Sequence, residues 1–228
     1  MTTTSHDHDG QHASPSEEDA ATYFESPAWE QRYAGDGAHW SGNPNTQLVA
    51  EASAFPPGTA LDVGCGEGGD VIWLAQQGWQ ATGADFSANG LARAAQHAQD
   101  AGVGQRVDFW QVDARTFDPE GRQFDLVTTH YLHPPDGGMV AVMGRLAGAV
   151  APGGHLLIVG HAPSEGHQAA TNAHQQAMFL AADLLPGVPA GFDVLVAEQR
   201  PRTVVREGRT VEIDDSVLLA RRATDSAD

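Results

Sequence analysis

The 228-residue chain contains no lysine; all twelve of its basic residues are arginine. That excludes Schiff-base chemistry on a lysine and the lysine of a P-loop. Cysteine occurs once, at Cys65, so no intrachain disulfide can form and a reducing compartment is predicted. No apolar run approaches the roughly 20 residues of a membrane-spanning helix. The first residues have neither a basic region nor an apolar one, which predicts no ordinary signal peptide and a cytoplasmic location. Basic residues are scarce overall: twelve against thirty acids give a net charge of −18. So acidic a surface argues against binding nucleic acid or anionic lipid, since both need a basic face. A small-molecule partner is the expectation. The length suffices for one α/β domain with a sizeable core.

What the chain does have is glycine, and it is concentrated in Ala60-Leu61-Asp62-Val63-Gly64-Cys65-Gly66-Glu67-Gly68-Gly69-Asp70. Apolar residues around an aspartate predict a short buried strand. A glycine turn follows, and then a helix with an acidic first turn. Strand, glycine turn and helix open a nucleotide-binding βαβ unit. Gly64, Gly66 and Gly69 also fit G-x-G-x-x-G, a dinucleotide pattern. Glu67 argues against a pyrophosphate, because it would repel a phosphate held at the helix N-terminus. Asp62 supplies a different signature, Asp-x-Gly-x-Gly. Cys65 is read as a small packing residue of the turn.

The remaining chain continues the alternation. Residues 1–18 are polar, contain His6, His8 and His12, and read as a disordered tail. From Ala20 aromatic residues gather: Tyr23, Phe24, Trp29, Tyr33 and Trp40. Helices are predicted over Ala28 to Tyr33 and Thr46 to Phe55, the second stopped by Pro56-Pro57-Gly58. Strands are predicted at Gln80–Asp85, Arg106–Asp113, Phe124–His130, His155–Gly160, Phe192–Gln199 and Thr210–Arg221. Ser87 is a natural N-cap for the helix after the second strand. Met139, Val142, Met143, Leu146, Ala149 and Val150 form an apolar helical stripe. Ala169 to Leu185 reads as a further helix. Residues 223–228 read as a frayed end.

Two strand-end acids stand out. Asp85 lies about 20 residues past the glycine turn, where a carboxylate can accept from both ribose hydroxyls. Asp113, a second acid, ends the third strand. A dinucleotide enzyme has no special need for that second acid.

The run Leu61-Asp62-Val63-Gly64-Cys65-Gly66-Glu67-Gly68 resembles motif I of the class I S-adenosylmethionine (SAM) methyltransferases. The pair Asp113-Ala114 falls where that family places an acidic residue near the adenine amino group, a donor that a carboxylate complements; Phe124–His130 matches its motif IV, and Pro152-Gly153-Gly154 before the fifth strand is a familiar feature of its fold. Tyr33 with Trp40-Ser41-Gly42-Asn43-Pro44-Asn45 resembles the N-terminal stretch of a bacterial subgroup akin to tellurite-resistance and thiopurine methyltransferases. The resemblance implies a Rossmann-like, doubly wound α/β fold. Its seven-stranded sheet would be mostly parallel, end in an antiparallel hairpin, and carry helices on both faces. It implies one domain over 19–222, with residues 19–57 as a helical lid; the alternative for Trp40 is plain core. It implies SAM as cofactor and S-adenosylhomocysteine (SAH) as product. Trp40, Asp62, Gly64, Cys65, Gly66, Asp85, Phe86, Asp113, Ala114 and His130 would hold it.

The reaction implied is methyl transfer to a small-molecule nitrogen, oxygen, sulfur or metalloid nucleophile, by a monomer or homodimer. His130 and His133 leave the fourth strand toward the transfer site and are candidate bases, because histidine titrates near neutral pH. Their alternative role is hydrogen bonding in the pocket wall. Tyr33, Tyr131, His133 and His161 are candidate acceptor-site residues. No metal site is predicted, since the histidines lack a tight ligand spacing; metal binding by the tail is the alternative. Two other functions stay open: an NAD-type oxidoreductase, and a SAM-binding protein without transferase activity.

Overall fold

The strand β1 (Thr59–Val63) holds Ala60, Leu61, Asp62 and Val63 fully out of solvent. A strand covered on both faces needs such a near-continuous apolar run rather than an alternation. The computed structural model describes residues 24–35, 37–134, 138–163, 175, 177–206 and 208–224. The predicted tail 1–18, Tyr23, Asp36, His167, His174 and residues 225–228 lie outside the described residues.

Six more strands build on β1: β2 (Gln80–Asp85), β3 (Val107–Gln111), β4 (Phe124–His130), β5 (Val150–His161), β6 (Phe192–Arg206) and β7 (Arg209–Arg222). The sheet order is β3-β2-β1-β4-β5-β7-β6. Strands β1 to β5 pair in parallel. β7 runs antiparallel to β5, and β6 antiparallel to β7. This is the seven-stranded, mostly parallel sheet with a C-terminal hairpin that the sequence predicts. Helices among the described residues include α1 (Ser26–Ala34), α2 (Thr46–Ala52), α3 (Gly69–Gln76), α4 (Ala88–Asp100), α5 (Met139–Gly148) and α6 (Ala181–Leu184).

Alternation along the strands divides the core in two. Leu61, Val63, Leu156, Ile158 and Leu218 pack with Val142, Met143 and Leu146 of α5 and Leu184 of α6. Ala60, Leu157, Val159, Val217 and Leu219 pack with Leu48 of α2 and with Val71 and Leu74 of α3. Helices therefore cover both faces, which is what a parallel sheet requires.

Strand order reverses beside β1, whose two neighbours are β2 and β4. In open α/β sheets that reversal leaves a crevice at the C-terminal strand ends. The glycine turn after β1 and His130 at the end of β4 both face it.

Several boundaries differ from the sequence expectation. β5 starts at Val150 rather than His155, so Val150, placed in the helical stripe, and Pro152-Gly153-Gly154, placed in a turn, lie within the strand. β6 continues through Pro201 to Arg206. It is an edge strand, so the missing proline N–H breaks no ladder there. Of the helix predicted from Ala169 to Leu185, Gln175 and Ala177 are helical, Met178–Leu180 are not, with Leu180 extended, and Ala181–Leu184 form a helical turn; residues 169–174 and 176 lie outside the described residues. α2 stops at Ala52 rather than Phe55.

Candidate functional site

A cavity of about 630 Å³ opens at the C-terminal ends of β1, β2 and β4. This is within the range of small-molecule sites, roughly 300–1,000 Å³. The glycine turn forms its floor. Gly66 has φ +52°, and a Cβ there would stand 2.7 Å from Tyr33 Oη and 3.2 Å from Trp40 Nε1. Gly68 caps α3 at φ +83°, and its Cβ would meet Ala94 Cβ at 2.9 Å. Both positions therefore demand glycine, for conformation and for space.

Asp85 ties the turn to β2. Its Oδ2 accepts from Gly66 N and its Oδ1 from Ser87 N, both at 2.9 Å. Burial pushes its carboxyl up, and the Ser87 and Gly66 amides oppose that. A carboxylate has about four lone-pair sites, so these bonds leave acceptor capacity facing the cavity. Ser87 also accepts from Gly90 N at 3.0 Å, the N-cap that the sequence predicts.

Beneath the turn, three ionisable groups converge. His130 Nδ1 lies 2.9 Å from Asp70 Oδ2 and 3.4 Å from Asp62 Oδ1. Thr128 Oγ1 donates to Asp62 Oδ1 at 2.9 Å, and Asn45 N donates to Asp70 Oδ1 at 2.6 Å. Burial alone would lower the His130 pKa, but the two carboxylates outweigh it and push it up to about 10. Burial pushes the Asp62 carboxyl up while His130 opposes it. These three side chains also bring one donor atom each within 4.8 Å of one another.

The segment before β1 lies over the turn and is fastened to it by charge. Glu67 accepts from Trp40 N at 2.8 Å and from His39 N at 2.9 Å, and pairs with Arg93 at 2.7 Å. Arg93 also donates to the carbonyls of Gly35 and Gly37. Glu30 accepts from Ser87 Oγ and Asn89 N at the start of α4. Burial raises the Glu67 carboxyl, but Arg93 and the Trp40 and His39 amides outweigh it and hold it below the usual range. The sequence reading of Glu67 as a charge set against phosphate is thereby corrected: it is neutralised by Arg93 and committed to the covering segment. Trp40 Nε1 donates to Tyr33 Oη at 2.9 Å within a cluster of Trp29, Tyr33, His39 and Trp40 rings. Burial pushes the Tyr33 phenol up, so it stays neutral.

Asp113 sits at the predicted strand end but is already engaged. Arg115 donates to it through Nε and Nη2, the latter at 2.7 Å, and also pairs with Glu25 at 2.9 Å. The Arg115 guanidinium holds the Asp113 carboxyl below its usual range.

The other end of the cavity is built from β4, β5 and the hairpin. Tyr131 follows β4 at φ +51°, an uncommon conformation for a non-glycine residue. Its ring stacks on His161 at 4.3 Å, His161 on His133 at 5.6 Å, and His133 on Phe24 at 5.2 Å. Its hydroxyl donates to Asp215 Oδ1 at 3.1 Å. Arg202 Nε donates to the same oxygen at 2.9 Å.

The structure gathers nearly all of the predicted residues around this cavity. Trp40, Gly64, Cys65, Gly66, Asp85, Phe86, Asp113, Ala114 and His130 line it, as do Tyr33, Tyr131, His133 and His161. Asp62 does not line it; its role here is to hold His130 and Thr128. Tyr33, expected at the acceptor, stands over Gly66 instead. Glu67, Asp70, Arg115 and Arg202 line the cavity as well and were not singled out by sequence as site residues.

A family model described as "Methyltransferase domain" matches residues 60–154, which contain the glycine turn, both strand-end acids and β4. Over 135 residues the chain is 31% identical to the trans-aconitate 2-methyltransferase of Streptomyces avermitilis, covering 57% of this chain and 49% of that one. The chain spans about half the length, or less, of the curated relatives it matches. A solved structure described as "Conversion of a Disulfide Bond into a Thioacetal Group during Echinomycin Biosynthesis" superposes with a TM-score of 0.70 at 23% identity, over 89% of this chain and 94% of that one. The N-methyltransferase NodS of Bradyrhizobium japonicum WM9, solved with SAH, superposes with a TM-score of 0.64 at 18% identity, over 86% and 97% of the two chains. Residues 60–154 match a methyltransferase-domain model, and the sheet around them has the Rossmann-like fold of these solved structures.

Proposed function

We propose that this chain is a SAM-dependent methyltransferase that acts on a small-molecule nitrogen, oxygen, sulfur or metalloid nucleophile. The observation that carries the reading is the floor of the cavity: a glycine turn with no room for a Cβ at Gly66, braced by Asp85, inside the methyltransferase domain. The match of the whole turn to that domain favours SAM over a dinucleotide, although Glu67 no longer counts against phosphate.

The residues present fit the cofactor. Gly64, Cys65 and Gly66 form the cradle, Asp85 and Phe86 flank the ribose, and Asp113 and Ala114 flank the adenine. Asp62 is a positioning residue behind His130. SAM, when bound, supplies a methyl group already activated by a sulfonium. The protein's task is then to orient the acceptor and exclude water. Trp40 and Tyr33, on the segment 19–57, act as the cover. That cover supports the finer resemblance to tellurite-resistance and thiopurine methyltransferases. His130, held charged between two carboxylates, offers no lone pair at neutral pH, so we assign it to the cofactor end rather than to base catalysis. His133 and His161 are the candidate bases for an acceptor that must lose a proton.

We further propose a single domain over 19–222, acting as a monomer or homodimer in the cytoplasm, with no nucleic-acid or membrane partner. No helix among the described residues is long and apolar enough to cross a membrane. The test is incubation with SAM and a panel of small acceptors, with SAH release followed by chromatography. Acceptor-dependent SAH supports the transferase. Tight SAH binding without release from any acceptor favours the non-catalytic SAM-binding reading.

A further inference from the structure

Two buried nitrogens, Asn45 Nδ2 and His130 Nε2, have no hydrogen-bond partner among the described residues. Both residues line the cavity, and their exposures are only 7% and 9%. Asn45 is the N-cap of α2, where its Oδ1 accepts from Gln47 N at 2.9 Å and from Leu48 N at 3.3 Å. Two donors on that atom fix it as the oxygen, so the group left over is the NH2. The backbone around Asn45 is already fastened. Its N–H donates to Asp70 Oδ1 at 2.6 Å, and a Cβ on Gly69 would stand 3.3 Å from the carbonyl of Asn43. His130 turns Nδ1 to Asp70 at 2.9 Å and to Asp62 at 3.4 Å, which leaves Nε2 on the far side of its ring. A ring held charged by those carboxylates is a donor at Nε2 as well. A buried donor without an acceptor is a cost that the fold alone does not recover.

We propose that Asn45 is a cofactor-binding residue whose amide, together with His130 Nε2, takes the carboxylate at the amino-acid end of SAM. The inference rests on the methyltransferase reading and adds a contact to it. Sheet order supplies the position. Asp113 follows β3, Asp85 ends β2, the glycine turn follows β1 and His130 ends β4, and these four strands are consecutive neighbours. With adenine at β3 and ribose at β2, the amino-acid tail falls at β1 and β4, beside Asn45 and His130.

Charge agrees with that tail. Asp70 and Asp62 offset the imidazolium, so this end does not select a bare anion. An amino-acid tail carries an ammonium beside its carboxylate and brings no net charge. What the site offers it is two pre-placed donors, and a donor ordered before binding loses little further freedom.

The test uses the full chain and two ligands: SAH, and decarboxylated SAH, which keeps the amine and lacks only the carboxylate. Titration calorimetry reads both. Wild type is expected to prefer SAH by about tenfold or more. Asn45→Ser keeps an N-cap oxygen and removes the NH2. It is expected to cut that preference about tenfold. The altered charge of the second ligand cancels, because the comparison is between proteins. Asn45→Asp keeps both N-cap acceptances and sets an acid where the NH2 stood, so it is expected to cut the preference further. Melting temperatures recorded alongside show that both variants are folded. An absent wild-type preference, or one that Asn45→Ser and Asn45→Asp leave unchanged, overturns the inference. Failure of SAH itself to bind overturns the methyltransferase reading instead.

Discussion

The carboxylate of Glu67 accepts the backbone N–H of Trp40 at 2.8 Å, joining the glycine turn to the segment that covers it. The same carboxylate takes His39 N and the Arg93 guanidinium, so one buried side chain closes three contacts across the rim of the cavity. Glu67→Gln is expected to loosen the cover and weaken SAH binding by about tenfold, equivalent to about 1.4 kcal/mol. Trp40→Ala is expected to weaken it at least as much. Calorimetric titration checks both. Wild-type affinity in both variants would remove the cover from the account.

The Glu67 contacts also predict an acid-side pH dependence. Its carboxyl is held low in the folded protein, so its contribution is complete above the unfolded value of about 4.3 and is lost as pH falls through the folded value. The gap in melting temperature between wild type and Glu67→Gln should be constant near neutral pH and close at low pH. A gap that widens on acidification contradicts the pairing.

His130 predicts the opposite sign. Its folded pKa is raised to about 10 by Asp70 and Asp62, against the lowering effect of burial. Its contribution is complete below the unfolded value of about 6.5 and is lost as pH rises through about 10. Urea melts of wild type and His130→Gln should therefore converge as the pH is raised from about 6 to about 10. A difference that grows with pH would show that His130 is neutral in the fold.

Asp85 has two loads that substitutions can separate. Asp85→Asn keeps an acceptor for one backbone amide and should lower SAH affinity with a small loss of stability. Asp85→Ala leaves the Gly66 and Ser87 amides unpaired, each costing about 1–3 kcal/mol, and should lower the melting temperature by several degrees more. Thermal melts with parallel titrations check this. Unchanged SAH affinity in Asp85→Asn would remove Asp85 from the ligand's contacts.

Cys65 is buried in the turn, and burial pushes its thiol well up. A thiol reagent should label native protein about a hundredfold more slowly than denatured protein, since the thiolate is the reactive form. Equal rates would mean that the turn is open in solution.

The sheet was legible because buried parallel strands write apolar runs into the sequence; β2 and β4 have the predicted bounds. The end of β6 was not, because Pro201 reads as a stop until the strand is known to lie at an edge. At the site, the turn and the strand-end acids were legible as local patterns. The partners that hold them were not: Glu67 meets Trp40 across 27 residues and Arg115 meets Glu25 across 90. Arg202 lies beyond the predicted end of its strand and Asp215 reads as ordinary strand alternation; the hairpin's return against β5 carries Arg202 to the cavity, with Asp215 buried behind it.

The most direct test of the account is isothermal titration of the full chain with SAH and, in parallel, with NAD. The cradle at Gly66, braced by Asp85, predicts saturable binding of SAH with none of NAD. Binding of NAD without SAH would contradict the methyltransferase reading and return the glycine turn to the dinucleotide class.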